Sequence, residues 1–370
     1  MFKNAIRLPL RLLGIPLYLD ITFLIILPLL AWLIGGQLGE FFLLTGLDEV
    51  IDVEPLLQGW TPYLLGLWAA LALFVSVVIH ELGHAVTGRI YGVETERITL
   101  WLLGGMAHFK EMPRQRGAEA VVAIAGPITS FLVAGVCAVF LTAIPLDYGG
   151  FYFVVVYTLY MNVILAVFNM IPALPLDGGR VLRSLLNLKM SRLKATQISA
   201  GISRVLAIAL GLFGVLAFNL FMILIAFFIY MAVTAETRYA LFTETLSRFH
   251  VDELMSYPVA TLSPDMSVAN VQEKMLAEAR LAYPVQERDG SYVGQVTLSE
   301  VQRSPAHQTV ANIMIDGPAT IAVGTGANDL FDRMIRDDQH RLLVVDHKGD
   351  VVGIVTKTDL LRALQVASYR

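Results

Sequence analysis

Residues 71–92 read LALFVSVVIHELGHAVTGRIYG, an apolar run that contains His80, Glu81 and His84. Two histidines four residues apart lie on one face of a helix, with the glutamate beside them. Ionisable groups are costly at membrane depth, so three of them in one apolar run indicate a functional site. Their spacing is the HExxH pattern, in which two imidazoles bind zinc and the glutamate is the general base. A chance match would leave three uncompensated polar groups in lipid.

A third zinc ligand is expected far along the chain, because a catalytic zinc commonly takes three protein ligands and a water. Residues 169–180 read NMIPALPLDGGR. Pro172 and Pro175 break a helix, and the two glycines after Asp177 permit a sharp turn. We therefore predict that Asp177 lies at the end of a span and completes the metal site. A helix cap is the alternative for this aspartate.

The composition predicts a membrane protein. Of the 370 residues, 56% are hydrophobic and only 16% are charged, whereas a soluble chain carries about a quarter charged residues. A helix needs about 20 apolar residues to cross a bilayer. Six stretches of sequence are candidates, at 17–36, 62–90, 118–144, 151–173, 200–217 and 219–235.

The distribution of charge predicts the orientation of these spans. Lys and Arg are found before the first span and in the loops after the second and fourth spans, whereas all charged residues in the loop after the first span are acidic. Basic loops stay in the cytoplasm. We therefore expect a multi-pass protein of the cell membrane with both termini cytoplasmic. The net charge of -4 gives no indication of nucleic-acid binding, and a single cysteine, Cys137, excludes an internal disulfide.

Three motifs in the apolar part resemble the site-2 protease family of intramembrane metalloproteases. They are HELGHA at 80–85, LWLLGGMAHF at 100–109 and FNMIPALPLDGGRVL at 168–182. Together they place most of residues 10–235 within the resemblance. It implies an intramembrane zinc metalloprotease that takes part in regulated intramembrane proteolysis and cleaves membrane-protein substrates near the cytoplasmic face.

The resemblance also implies a role for each site residue. His80, His84 and Asp177 would hold Zn²⁺, and Glu81 would be the catalytic base. Asn169 would contact the substrate or the oxyanion. From the residues alone, a hydrogen bond to a neighbouring helix is the alternative for Asn169.

Residues 96–110 are too short and too interrupted to span a bilayer. Gly104 and Gly105 predict a turn, so we expect a re-entrant β-hairpin. Its exposed edge could pair with an unwound substrate segment by strand addition. The alternative is an ordinary cytoplasmic loop.

The C-terminal part contains an internal repeat with a period of 59 residues. GQVTLSE at 294–300 matches GIVTKTD at 353–359. Each repeat is predicted as strand, helix, strand, strand, helix. Helices are expected near 268–279 and 327–337, and hairpins at 283–296 and 342–355.

This repeat resembles a tandem pair of CBS domains, a soluble α/β module. The predicted domains are a protease domain at 1–235, a helical connector at 236–250 and the CBS pair at 251–366, divided into 251–309 and 310–366. The family commonly binds adenosine nucleotides such as ATP, ADP or AMP, and its pairs often form homodimers.

The resemblance implies nucleotide sites in clefts between the repeats. In the second repeat, Thr356 would contact phosphate and Asp359 the ribose hydroxyls. The first repeat has Thr297 and Glu300 at these positions, and the glutamate is the longer side chain. A module that binds no ligand is the alternative.

The fold predicted is a polytopic α-helical membrane protein of about six transmembrane helices followed by the CBS pair. The main alternative function is a membrane transporter or channel gated by the CBS pair, since transporters also combine apolar spans with broken helices and buried polar residues. A catalytically silent scaffold is a third hypothesis. HExxH with a distant aspartate favours the protease, because transport does not require it.

Overall fold

The structure is a computed structural model that describes residues 5–101, 104–109, 115–317 and 319–367. The chain divides into two units, Met1–Thr237 and Arg238–Arg370. The first unit contains the apolar stretches and the second contains the repeat.

The first unit is built mainly from helices. In chain order they are α1 (Phe23–Gly36), α2 (Leu38–Thr45), α3 (Thr61–Ile90), α4 (Ala118–Leu141), α5 (Gly149–Asn169), α6 (Asp177–Asn187), α7 (Arg192–Leu216) and α8 (Leu220–Leu246). Pro62 in the first turn of α3 suits a helix start, because its missing N–H would have no partner there. The last helix, α8, continues past the boundary between the units.

Five of these helical segments are long and apolar enough to cross a membrane. They are α3, α4, α7, α8 and Leu146–Asn169, which adds a 3-10 turn to the start of α5. Helices α1 and α2 meet at a 56° bend and together form a sixth candidate. Within the described residues, the prediction of a polytopic helical unit with about six spans is confirmed.

The start of the first predicted span was wrong, because residues 17–19 belong to strand β2 (Ile15–Leu19). The Asp20 carboxylate accepts hydrogen bonds from the Thr22 N–H at 3.0 Å and the Thr22 hydroxyl at 2.7 Å, which turns the chain out of the strand. Helix α1 begins only at Phe23 and has 14 residues. Its length of about 21 Å is short of the roughly 30 Å hydrocarbon core.

A four-stranded sheet accompanies the helices. It consists of β1 (Ile6–Leu12), β2, β3 (Thr95–Trp101) and β4 (Gly104–Phe109), in that spatial order. Strands β2 and β3 are parallel, and the other two pairs are antiparallel. The predicted hairpin is present as β3–β4, but Gly104 and Gly105 lie in strand β4 and not in a turn. Residues 102–103, which connect the two strands, lie outside the described residues.

One face of this sheet packs against the middle of α3. Ile98 and Leu100 of β3 are buried with Phe74, Val77 and Val78 of α3. Alternate residues of a strand point to the same face, which explains why Ile98 and Leu100 both pack against α3. Strand β4 is thereby held beside the helix that carries the HExxH residues.

In the described part of the second unit there are two small sheets and six short helices besides the end of α8. The helices are α9 (Val251–Leu254), α10 (Val268–Ala277), α11 (Leu298–Arg303), α12 (Val310–Ile313), α13 (Ala327–Arg336) and α14 (Lys357–Ala367). The strands are β5 (Ala282–Gln286), β6 (Tyr292–Thr297), β7 (Ile315–Asp316), β8 (Thr320–Ala322), β9 (Arg341–Val345) and β10 (Val351–Thr356). The sheets have the orders β5-β6-β7 and β10-β9-β8. Each sheet covers its own apolar core.

Both repeats have their main helix and hairpin at the predicted places. The second repeat follows the predicted order of strand, helix, strand, strand, helix. In the first repeat the leading strand is reduced to a single bridge between Leu262 and Val285.

The first residues of each repeat pair with the sheet of the other repeat. Strand β7, at the start of the second repeat, pairs with β6 of the first. Ser256, at the start of the first repeat, pairs with Ile354 in β10 of the second. Gly294 and Gly353 permit these contacts, because a Cβ would lie 2.7 Å from the Ile315 carbonyl oxygen at Gly294 and 2.6 Å from Met255 Sδ at Gly353.

Candidate active site

His80 and His84 lie on the same face of α3, one turn apart, and both are 4% exposed. Their Nε2 atoms are 3.2 Å apart. The spacing of four residues explains this arrangement, because positions i and i+4 of a helix are neighbours. Two imidazole nitrogens therefore point at one location inside the helical unit.

Asp177 reaches the same location from the loop between α5 and α6. It is the first residue of α6, and its Oδ2 atom lies 3.2 Å from His80 Nε2 and 3.3 Å from His84 Nε2. Helix α5 ends eight residues earlier, before the two prolines. A Cβ at Gly178 or Gly179 would collide with the backbone of this loop, so only glycine lets α6 begin here.

The three donor atoms fit a zinc ion. Ligands at the usual zinc distances of about 2.0–2.2 Å in a tetrahedral site lie roughly 3.3 Å or slightly more from one another. The triangle of two Nε2 atoms and Oδ2 has sides of 3.2, 3.2 and 3.3 Å. Two imidazoles and a carboxylate are also a donor set typical of catalytic zinc, with one position left open.

The Asp177 carboxyl is stabilised in its ionised form. A carboxyl group must be ionised to bind a metal ion. Burial opposes its ionisation, but hydrogen bonds from His80 and His84 and the positive charges of His84 and Arg180 hold the pKa of Asp177 below its usual range. The pair of histidines thus has a charged carboxylate as its third neighbour.

Helix α4 orients both imidazoles from behind. His80 Nδ1 lies 2.9 Å from the Ser130 hydroxyl, and His84 Nδ1–H donates to the carbonyl oxygen of Val122 at 2.8 Å. In a neutral ring that carries its proton on Nδ1, Nε2 has a lone pair, and both Nε2 atoms face the centre of the triangle. Such outer partners fix the tautomer and the ring orientation of metal-bound histidines.

Gly126, between these two partners on α4, provides space for the rings. A Cβ at this position would lie 2.6 Å from His80 Nε2 and closer still to His84 Nε2. Sequence analysis missed Gly126, Ser130 and Val122. A small residue and a hydroxyl in an apolar run are a weak indication of the first two, and a backbone carbonyl leaves no trace in the sequence.

Glu81 lies between the histidines and the edge of the sheet. Its ligand atom and those of His80 and His84 lie within 4.8 Å of one another. Its Oε2 accepts a hydrogen bond from the Ala107 N–H of β4 at 2.8 Å. A Cβ at Gly105 would lie 2.7 Å from Glu81 Cγ, so the strand can approach this closely only at a glycine.

Asn169 is less closely associated with the site than the other predicted residues. It is half-buried at the last position of α5. Within the described residues its side chain makes no hydrogen bond to His80, Glu81 or Asp177. The fully buried asparagine of this helix is Asn162, which donates to the Ser76 hydroxyl at 2.9 Å.

The four predicted nucleotide-site residues form two equivalent pairs in the tail. Asp359 Oδ2 accepts from the Thr356 N–H at 2.9 Å and from the Thr356 hydroxyl at 2.6 Å, before α14. Glu300 Oε2 accepts from the same two groups of Thr297 before α11. Both carboxylates therefore cap the start of a helix, and the longer Glu300 makes the same contacts as Asp359.

Comparison with known proteins finds two families that match separate parts of the chain. Residues 68–147 and 146–212 match the family "Peptidase family M50", and residues 251–306 and 310–366 each match the CBS domain. The zinc metalloprotease MJ0392 of Methanocaldococcus jannaschii is 34% identical over 306 residues, which cover 82% of this chain and 87% of that protein. Rip3 of Mycobacterium tuberculosis is 30% identical over 385 residues, which cover 98% of this chain and 94% of Rip3.

A solved structure is also similar. The site-2 protease from Methanocaldococcus jannaschii is 33% identical, and the match covers 63% of this chain and 95% of that structure with a TM-score of 0.43. The similarity to MJ0392 extends over most of both proteins. The chain therefore belongs to peptidase family M50, the site-2 proteases, and is a zinc metalloendopeptidase that ends in a pair of CBS domains.

Proposed function

We propose that this protein cleaves transmembrane segments of other membrane proteins near the cytoplasmic face, as a step of regulated intramembrane proteolysis. His80, His84 and Asp177 hold the zinc ion and Glu81 is the catalytic base. The observation that carries the proposal is the triangle of three donor atoms, with sides of 3.2–3.3 Å, next to a glutamate. A transporter needs no such triangle.

The chemistry is hydrolysis of a peptide bond. Bound zinc polarises the scissile carbonyl and makes a water molecule acidic near neutral pH. Glu81 accepts a proton from the water whose oxygen bonds to the carbonyl carbon. When the C–N bond breaks, Glu81 returns that proton to the leaving amine nitrogen. Asn169 is the candidate for contacting the substrate or the developing oxyanion.

The edge of β4 that pairs with no other strand among the described residues is the proposed binding site for the substrate. In an antiparallel pair, alternate residues turn their N–H and C=O groups away from the partner strand. The Ala107 N–H points at Glu81 and not at β3, so the backbone groups of Gly105 and Ala107 face outward, toward the base. An unwound substrate segment that adds to this edge would have its peptide bonds beside Glu81. Strand addition also satisfies backbone groups that the substrate helix releases when it unwinds.

The locations of the site residues in the chain support a position of the site near the cytoplasmic face of the membrane. The histidines lie in a candidate span, whereas Asp177 lies beyond the end of α5, in a part of the chain rich in Lys and Arg. Basic segments favour the cytoplasm. We infer that the lipid bilayer surrounds the helices and that both termini and the CBS pair are cytoplasmic.

Metal analysis tests the proposed function. The purified full-length protein should contain zinc, lose cleavage of a tagged single-span substrate when a chelator removes the metal, and regain it with added zinc. Asp177→Asn should weaken zinc binding by more than the roughly 10–100-fold typical of changes to outer partners. Asp147→Asn, in the turn before α5, is the matched control and should behave as wild type. Full zinc binding by Asp177→Asn would contradict the assignment of this ligand.

We also propose that adenosine nucleotides bind the CBS pair and alter the rate of cleavage, with Thr356 at the phosphate and Asp359 at the ribose. Thr297 and Glu300 form the second candidate site. What supports this is the repeated arrangement of a threonine and a carboxylate at the start of a helix, where phosphate binding is favoured. Association of two copies through the tail stays a prediction.

A thermal-shift measurement on the full chain tests the nucleotide proposal. A ligand at 100 times its Kd stabilises the folded tail by about 2.7 kcal/mol, so ATP, ADP or AMP should raise its melting temperature. Asp359→Asn should lose this shift, whereas Asp350→Asn, in the β9–β10 turn, should keep it. The shift is compared within each variant, because loss of a cap alone costs about 0.5–2 kcal/mol. An unchanged melting temperature with all three nucleotides would remove the sensing role.

A further inference from the structure

Two consecutive residues tie α6, the helix that begins with Asp177, to the first turn of α4. The Arg183 guanidinium pairs with the Glu119 carboxylate. The Ser184 hydroxyl accepts a hydrogen bond from the Ala120 N–H at 3.1 Å, and both Arg183 and Ser184 are buried. The same Ala120 N–H also donates to the Gly117 carbonyl oxygen at 3.1 Å, so Ser184 shares this donor at the start of α4.

The same helix α4 holds the two histidines. Val122, two residues after Ala120, accepts from His84, and Ser130 contacts His80. The distance between Asp177 and the imidazoles therefore depends on how α6 is fixed to α4. Arg183 lies less than two helical turns from Asp177, so a shift at its end of α6 moves the metal ligand.

A second carboxylate reaches Arg183 from α8. Glu236 Oε1 lies 2.5 Å from Arg183 Nη1. The side chain of Arg183 is only 4% exposed, whereas those of Glu119 and Glu236 are 15% and 38% exposed. Burial disfavours the charged guanidinium, but the two carboxylates outweigh it and raise the pKa of Arg183. The positive charge of this buried guanidinium is thus balanced by carboxylates from two other helices.

Glu236 lies at the end of the first unit, next to the boundary with the second. It precedes Thr237, the last residue of the first unit, and α8 continues from there to Leu246 without a break. Leu246 is fully buried in the core of the second unit. A change in the direction or rotation of α8 near residue 236 would therefore alter the contacts of Arg183.

We propose that Arg183 is a positioning residue for the zinc site and that Glu236 is the group through which α8 acts on it. With Glu236 in place, Arg183 holds α6 against α4 and keeps Asp177 within reach of both histidines. When Glu236 withdraws, Arg183 keeps only Glu119 of its two carboxylate partners among the described residues, and the donor triangle loosens. This inference rests on the proposed function for the identity of the three ligands.

The test compares Glu236→Gln with Glu244→Gln, which makes the same chemical change two turns further along α8. Zinc affinity is measured by competition with a chromogenic chelator on the full-length protein, and kcat and KM with a tagged single-span substrate. Glu236→Gln should lower zinc affinity about 10-fold, the lower limit for outer partners, and lower kcat with little change in KM. Glu244→Gln should change neither quantity.

Arg183→Lys serves as the second variant, because a lysine keeps the charge but cannot contact two carboxylates in the geometry of the guanidinium. It should lower zinc affinity, and adding Glu236→Gln should then have little further effect, since both changes break one contact. Wild-type zinc affinity in Glu236→Gln would overturn the proposal, as would fully additive effects in the double variant. Zinc affinity is informative even without cleavage, so failure of the protease assignment would be seen separately.

Discussion

Replacing Glu81 by glutamine will abolish cleavage of a transmembrane substrate while the protein continues to bind zinc. Glutamine has the size of glutamate and can still accept the Ala107 N–H, which the carboxylate accepts at 2.8 Å. It cannot take up a proton, and a positioned general base contributes about 10²–10⁴-fold to the rate. We therefore expect kcat to fall by at least about 100-fold with little change in zinc content.

The measurement pairs a metal determination with a cleavage assay on the same preparation. Glu49→Gln, in the segment before α3, makes the same chemical change away from the site and should cleave as wild type. Cleavage by Glu81→Gln at an undiminished rate would show that another group is the base. Loss of zinc together with activity would instead show that Glu81 is needed to hold the metal.

Replacing Gly126 by alanine will remove zinc binding, and with it cleavage. The added methyl group would lie 2.6 Å from His80 Nε2 and closer still to His84 Nε2, so the rings cannot keep their positions. Alanine is favoured over glycine in a helix by up to about 1 kcal/mol, so a weaker α4 cannot explain the loss. We expect zinc affinity to fall by at least roughly 10–100-fold, as for loss of an outer partner.

Two further glycine-to-alanine changes complete this experiment. At Gly105 the methyl group would meet Glu81 and Val77 at 2.7 and 2.8 Å, so Gly105→Ala should keep zinc but lose cleavage. At Gly135, also in α4, a methyl group would meet nothing within 4 Å, so Gly135→Ala should keep both. If Gly126→Ala binds zinc like Gly135→Ala, the donor triangle is not where the metal binds.

The convergence of His80, His84 and Asp177 could be predicted from the sequence because each step is local. A spacing of four fixes the two histidines on one helix face. The prolines and glycines around Asp177 end one helix and begin another. The order of the apolar runs along the chain predicts that Asp177 lies at the same end of the spans as the histidines. Few physical alternatives remain once polar groups lie in an apolar run.

The N-terminal strands could not be predicted in this way. Residues 15–19 are apolar and continue into an apolar helix, so their composition resembles the start of a span. What makes them a strand is pairing with Ile98–Leu100, about 80 residues away. The same holds for Arg183, whose two carboxylate partners are 64 and 53 residues away in sequence. Pairings of this kind depend on the tertiary fold.

The tail was predicted more completely than the membrane part, because self-similarity at a period of 59 residues gives two independent views of one unit. The exception is the first strand of the first repeat, where only the bridge at Leu262 forms. Its equivalent in the second repeat, Thr320–Ala322, is itself only three residues long. So short a strand depends on its neighbours in the sheet more than on its own sequence.

Because the first residues of each repeat pair with the sheet of the other, the two repeats of the tail depend on each other for their folded structure. A chain severed between residues 304 and 309 would leave the upstream half without β7 and the downstream half without the bridge from Ser256. Each half would then present an open sheet edge, which invites pairing with other chains. The two repeats resemble each other in sequence, but neither has a complete sheet without the other.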